Sequence, residues 1–426
     1  MRLFCTIFRK DLFVISLYDF FLQDNHYLSM IGIFLIIGTA FLFSNNKKRV
    51  KIRLILTALL MQFGLAYFIL NTNAGKNLFS SISGGFQVVY EFADRGSSFV
   101  FGNLSNPSGP WGFVFAIKVI PIIIFFGALM SLLFHLGIVQ IFVKALSLVI
   151  RPILGTSGAE TLSVAANSVL GQTEAPLLIR NYLARMTQSE ILLVMVGGMA
   201  HLSGSILAVY GGMGISVLHM LSASIMAIPG AILIAKILIP ETEVPETIGG
   251  SSVKITRETK NVLDAISSGT VDGLRLAVNV AAMLIAFISL VALFDYLLFS
   301  VTSLFLTNPW TLNLVFGKLF YGVAYFLGIS VNDREIAGAL LGQKLVINEF
   351  VAYSGLVKAD VLVRTKSILT YALAGFANFS CIGIQIGGIG ALAGNKRELL
   401  TKLGMRALLG GTLANLLNAA IASLFI

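Results

Sequence analysis

Long apolar runs separated by short charged loops recur along this chain, and that pattern narrows the folds open to it more than any other feature. Residues 27–44, 54–70, 111–136 and 274–300 are long enough to cross a hydrocarbon core of roughly 30 Å at about 1.5 Å per residue. Only 12% of the residues are charged, where a soluble domain carries about a quarter. The expected fold is an all-α membrane protein, and 426 residues leave room for about eight transmembrane helices plus shorter elements. The formal net charge of +10 gathers in loops, with Lys47, Lys48, Arg49, Lys51 and Arg53 in one and Lys358, Arg364 and Lys366 in another. That distribution follows the positive-inside bias of an inner or plasma membrane protein and does not point to nucleic acid. Cys5 and Cys381 stand far apart, and no metal-ligand spacing occurs among the four histidines. No cofactor is expected.

Two clusters break the apolar pattern. The first reads Asn167-Ser168-Val169-Leu170-Gly171-Gln172-Thr173-Glu174-Ala175-Pro176; the second is Gly342-Gln343-Lys344 followed by Asn348-Glu349-Phe350. In hydrocarbon such groups must be buried in protein or line a cavity. A carboxylate at mid-membrane costs roughly 2.5–3.5 kcal/mol or more on insertion scales, which favours function over packing for Glu174 and Glu349. The alternative is a structural pairing with Lys344 or Arg180, and Lys344 itself reads as a counter-ion. Gly171 halves residues 157–182 into pieces too short to cross, which predicts a re-entrant hairpin with a polar tip. Residues 311–353, broken at 328–334, predict a second one. Both tips are expected to meet at mid-membrane, with the two carboxylates buried in one shared cavity.

Residues 187–210 are long enough to span but hold Gly197, Gly198, His201, Ser203, Gly204 and Ser205; residues 367–392 hold Gly375, Asn378, Ser380, Gly383 and Gln385. Both predict helices unwound in the middle. Glu174 lies 37 residues before Gly211-Gly212, and Glu349 lies 38 residues before Gly387-Gly388. Each unit is a hairpin, a broken helix and a last span. Paired units of this kind, inverted in the membrane, are the mark of secondary transporters. The chain divides into an interfacial lead-in (1–26), scaffold and interfacial helices (27–154), a first transport repeat (155–239), a linker with an interfacial helix and scaffold span (240–310), and a second transport repeat (311–426).

Three motifs carry a resemblance. Gly171-Gln172-Thr173-Glu174-Ala175-Pro176, Asn348-Glu349-Phe350-Val351-Ala352-Tyr353 and Gly375-Phe376-Ala377-Asn378-Phe379-Ser380 resemble, in the same order, motifs of the concentrative nucleoside transporters. The likeness runs from about residue 27 to the C-terminus. It implies a homotrimer in the bacterial inner membrane, embedded in the lipid bilayer, that takes up a nucleoside substrate by cation symport through an elevator-type movement. It also implies that Gln172, Thr173 and Glu174 contact the base, with Ile206 as an apolar wall and Phe376 as a nearby aromatic. Glu349 and Asn378 match the ribose-binding pair. Cys381 stands where the family has a further ribose-binding serine. Asn167 and the carbonyl of Leu170 match sodium ligands, and His201 replaces a ligating serine. A histidine titrates near neutral pH, so the coupling cation is expected to be Na+ or H+.

The chemistry is consistent with that implication. A glutamine offers both the donor and the acceptor that a base edge needs. A buried carboxylate accepts from two vicinal hydroxyls through strong charge-assisted bonds. A site built this way is expected to prefer nucleosides over free bases. The competing readings are an uncoupled facilitator or channel, the same fold with another small polar substrate, and an intramembrane enzyme. No nucleophile–base pair accompanies the carboxylates, which argues against the enzyme.

Overall fold

The computed structural model describes residues 25–106, 109–112, 114–248 and 259–426, and every regular element among them is helical. The expected lead-in falls almost wholly outside the described residues, as do residues 249–258 of the linker. The cleanest apolar runs form His26–Leu42, Ile52–Asn71 and Phe115–His135. The mixed segments form amphipathic helices at Asn73–Phe101 and Ile138–Leu154. Among the described residues five helices are long and apolar enough to cross a membrane, and the shorter His26–Leu42 and Phe379–Leu392 are apolar as well.

The first unit comprises a hairpin from Gly158–Asn167 to Arg180–Leu183, a helix broken into Gln188–Ala200 and Gly204–Gly212, and the helix Val217–Leu238. The second repeats that order with Arg334–Val346 and Glu349–Lys358, then Val363–Leu373 and Phe379–Leu392, then Arg397–Ala422. This last helix packs against both broken helices and against Val217–Leu238. The apolar window of Gln188–Gly212 is 94% buried, against 11% for Val262–Thr302, so the broken helix is central and the long one peripheral.

Four boundaries differ from expectation. The interfacial helix expected at 260–273 and the span expected at 274–300 do not form separate elements but one helix, Val262–Thr302. No proline interrupts it, and its glycines serve packing: a Cβ on Gly269 would sit 2.5 Å from the Gly127 carbonyl oxygen. Such small-residue contacts let membrane helices approach closely. The returning limb of the first hairpin is a 3-10 turn, Ala175–Ile179, before its short helix, because Pro176 has no N–H to continue an α-helix. The second hairpin turns at Ile347 and Asn348 rather than at residues 328–334. Gly328, at φ +72°, makes the earlier bend that joins it to the short helices Leu312–Leu319 and Tyr321–Phe326. The basic stretch at 397–406, expected to precede a last span at 407–426, instead opens the last helix, Arg397–Ala422.

Two capping boxes start the first unit. Ser157 accepts from the Glu160 N–H and Thr187 from the Glu190 N–H, while each glutamate accepts from its own cap residue's N–H. The boxes are joined, since Ser157 Oγ donates to Glu190 Oε1 at 2.5 Å. Lys236 Nζ lies 2.6 Å from Glu160 Oε2 and donates to Ser189 Oγ at 3.0 Å, with both ion-pair side chains buried. Removing one partner strands the other charge, at a cost of about 3–5 kcal/mol. Lys236→Met is therefore expected to lower the unfolding temperature in detergent, and adding Glu160→Gln to recover much of the loss; an unchanged single variant would refute the assignment.

Candidate functional site

The first hairpin tip is closed by its own side chains. The N–H groups of Glu174 and Ala175 donate to the Gly171 carbonyl, and the Gly171 N–H donates to Glu174 Oε2 at 3.1 Å. The Gly204 N–H donates to the Val169 carbonyl at 2.9 Å and fixes the tip against the first helix break. Glu174 and Thr173 are exposed and face a cavity of about 700 Å³. Ser203 and Ser205 also line it, with Asp264 and Asp272 of the long peripheral helix opposite. Gly388 approaches the outer side of the tip, where a Cβ would lie 3.2 Å from Thr173 Cγ2.

Gln172 turns the other way. Its Nε2 donates to Cys381 Sγ at 3.2 Å and its Oε1 accepts from Gln385 Nε2 at 3.1 Å. Asn378 caps the helix beginning at Phe379, its Oδ1 accepting from the Cys381 N–H at 3.1 Å and from Ser380 Oγ at 2.7 Å. The same side chain's Nδ2 donates to Glu349 Oε2 at 3.1 Å. Glu349 Oε1 accepts from the Tyr210 hydroxyl at 3.1 Å. Glu349 opens a helix capped by Asn348 and is buried, so the positive end of that helix also favours its charge. Ile206 is buried in the second half of the first broken helix, and Phe376 is half-buried within the second break.

The structure thus joins Gln172, Cys381, Asn378 and Glu349 through successive contacts. It does not bury both carboxylates in one cavity: Glu174 is held on the outer face of its turn by the Gly171 N–H, and Glu349 does not line the cavity that Glu174 faces. Lys344 is no ion-pair partner of Glu349 among the described residues. Its ammonium donates to the Ala372 carbonyl at 2.8 Å and to Asn415 Oδ1 at 2.7 Å. Tyr210 and Gln385 carry roles that sequence reasoning missed; a phenol and an amide inside otherwise apolar helical stretches were the available signal.

Asn167 Nδ2 donates to the Ser163 carbonyl, leaving its buried Oδ1 without a partner. His201 Nδ1 lies 2.7 Å from the Gly197 carbonyl, which can only accept, so this nitrogen carries the proton. Its Nε2 is buried, with the Ser224 backbone near the ring and no well-formed hydrogen bond to it. A free amide oxygen suits a hard cation, whereas an imidazole nitrogen suits a proton better than sodium.

Two polar hairpin tips meeting at two discontinuous helices define a membrane transporter. Comparison with known proteins is more specific. Residues 31–104 and 219–423 match models described as the N- and C-terminus of the Na+ dependent nucleoside transporter, and residues 116–217 match one described as nucleoside recognition. The chain is 44% identical to an uncharacterized transporter of Haemophilus influenzae over 406 residues, covering 93% of this chain and 97% of that one. It is 39% identical to the nucleoside permease NupC of Helicobacter pylori over 409 residues, covering 93% and 97%. The structure of CNTnw in an inward-facing substrate-bound state matches with a TM-score of 0.88 at 39% identity, covering 94% of this chain and 97% of that one. The chain belongs to the concentrative nucleoside transporter family, a family of transporters whose models are described as Na+ dependent.

Asn415 is fully buried and bonds to the Ala200 and Ala374 carbonyls as well as to Lys344. Asn415→Leu strands three polar groups at about 1–3 kcal/mol each. It is expected to lower thermal stability in detergent by several degrees or more; a variant that melts with the parent would show that the contacts are dispensable.

Proposed function

We propose that the chain imports nucleosides such as uridine by cation symport, as a homotrimer of eight-span protomers in the bacterial inner membrane. The observation that carries this is Glu349, a buried carboxylate held between Tyr210 and Asn378 and linked through Cys381 to the amide of Gln172. Glu349 and Asn378 take the ribose hydroxyls, exchanging their mutual bond for bonds to the sugar. Gln172 takes the base edge, Ile206 and Phe376 enclose it, Cys381 supplies a weak polar contact, and Thr173 reaches the base from the cavity side. Glu174 acts from the cavity side, closing the tip and meeting substrate as it enters.

Transport proceeds by movement of the two repeats, residues 155–239 and 311–426, as one body against the remaining helices. Two observations support this elevator reading. The last helix ties both repeats together, and the cavity at Glu174 lies between the first repeat and the pair formed by Phe115–His135 and Val262–Thr302. The repeats are inverted relative to each other in the membrane.

Sodium is the coupling cation in this reading, held by Asn167 Oδ1 and the Leu170 carbonyl. The buried imidazole of His201, with Nε2 making no well-formed hydrogen bond, favours a second reading, in which a proton bound there replaces sodium.

Glu349→Gln keeps the shape of the site but loses the charge-assisted acceptor, worth about 1.5–3 kcal/mol. Uridine affinity is expected to fall roughly 10- to 100-fold. Uptake equal to the parent's would remove Glu349 from the ribose site. For the cation, uridine uptake into vesicles with sodium replaced by choline is expected to collapse whether or not an inward proton gradient is applied. Uptake restored by the gradient alone would transfer the coupling to His201.

A further inference from the structure

Gln385 touches none of the groups assigned to substrate except Gln172, yet it is 1% exposed and bonded on both sides of its nitrogen. Its Nε2 donates to the Met195 carbonyl at 3.0 Å and to Gln172 Oε1 at 3.1 Å. The helix carrying Met195 makes room for this pair at Gly198, where a Cβ would come within 2.6 Å of Gln385 Nε2 and 3.0 Å of Gln172 Cβ.

These contacts settle the orientation of two amides by chemistry alone. A backbone carbonyl only accepts, so the nitrogen of Gln385 must face Met195. Its second N–H then faces Gln172 and draws that side chain's oxygen toward it. Gln172 is left presenting its nitrogen, and in this structure the nitrogen rests on Cys381 Sγ, a weak acceptor. A carbonyl oxygen on a base is a better acceptor and displaces the thiol at little cost.

We infer that Gln385 is a positioning residue that sets base specificity through Gln172. By anchoring the amide to Met195 it makes Gln172 a donor toward the site, which selects bases with a carbonyl at the contacted edge over bases with an amino group there. This rests on the nucleoside reading above and, with the donor of Gln172 set against the 4-position of the base, adds to it a preference for 4-oxo over 4-amino pyrimidines. It also assigns Gly198 the role of clearing space for the amide pair.

The test is calorimetric binding of uridine and cytidine to the full-length protein in detergent, for the parent, Gln385→Glu and Gln385→Met. The parent is expected to favour uridine by about tenfold, the worth of one mispaired polar contact. In Gln385→Glu the carboxyl group, protonated toward Met195, offers its carbonyl to Gln172. The amide turns over and the preference shifts toward cytidine. In Gln385→Met nothing orients the amide, and the ratio falls toward one. Either variant suffices if the other does not fold. Equal loss of both nucleosides at an unchanged ratio, or a parent that prefers cytidine or neither, overturns the inference. A parent that binds no nucleoside at all overturns the functional reading beneath it.

Discussion

The crossing of the two broken helices depends on one amide. Asn415, in the last helix, donates to the Ala200 carbonyl at the end of the first broken segment and to the Ala374 carbonyl at the end of the second, while its oxygen accepts from Lys344 of the second hairpin. Backbone released by a helix break in a lipid-facing protein has no water to turn to, so it must be satisfied from within. Asn415 does this for both breaks at once. The crossing is tight enough to require glycine at position 375, where a Cβ would lie 2.5 Å from Asn415 Oδ1 and 2.7 Å from the Met199 carbonyl oxygen. Lys344 completes the arrangement as a donor to the Ala372 carbonyl and to Asn415 Oδ1.

The same economy governs the candidate site. The helices that restart after both breaks and after the second hairpin tip begin with a capping side chain: Ser203 for Gly204–Gly212, Asn348 for Glu349–Lys358 and Asn378 for Phe379–Leu392. Asn378 caps with its oxygen and holds Glu349 with its nitrogen, so satisfying the backbone and orienting the carboxylate are one act. Elsewhere too one polar side chain serves two partners: Gln62 donates to the Met226 carbonyl of Val217–Leu238 at 3.3 Å and to Asn418 Oδ1 at 2.8 Å.

Local chemistry made much of this legible in the sequence. Uninterrupted apolar length marked the spans, and glycine, proline and serine clusters marked the breaks near residues 201 and 375 and the first hairpin tip near Gly171. The motifs carrying Gln172, Glu349 and Asn378 identified the family before any coordinates. Errors fell where a local signal had two meanings. Gly269 and Gly273 look like a helix boundary, but they face Gly127 and allow two helices to touch. Gly328 looks like a hairpin tip, but its positive φ makes a bend ahead of the hairpin.

What the sequence by itself determined is where the chain enters hydrocarbon, where it cannot remain helical, and which polar residues are too costly there to be incidental. Only tertiary structure decided what those polar residues face. Glu174 and Glu349 occupy like positions in two like hairpins, yet one folds back on its own turn and looks into a cavity while the other is enclosed by Tyr210 and Asn378. Lys344 meets carbonyls instead of a carboxylate, and Gln385 aligns Gln172 from a helix more than two hundred residues away in the chain. The reason is that a side chain's direction depends on which neighbour offers the complementary atom, and those neighbours are brought close by folding, not by spacing along the chain.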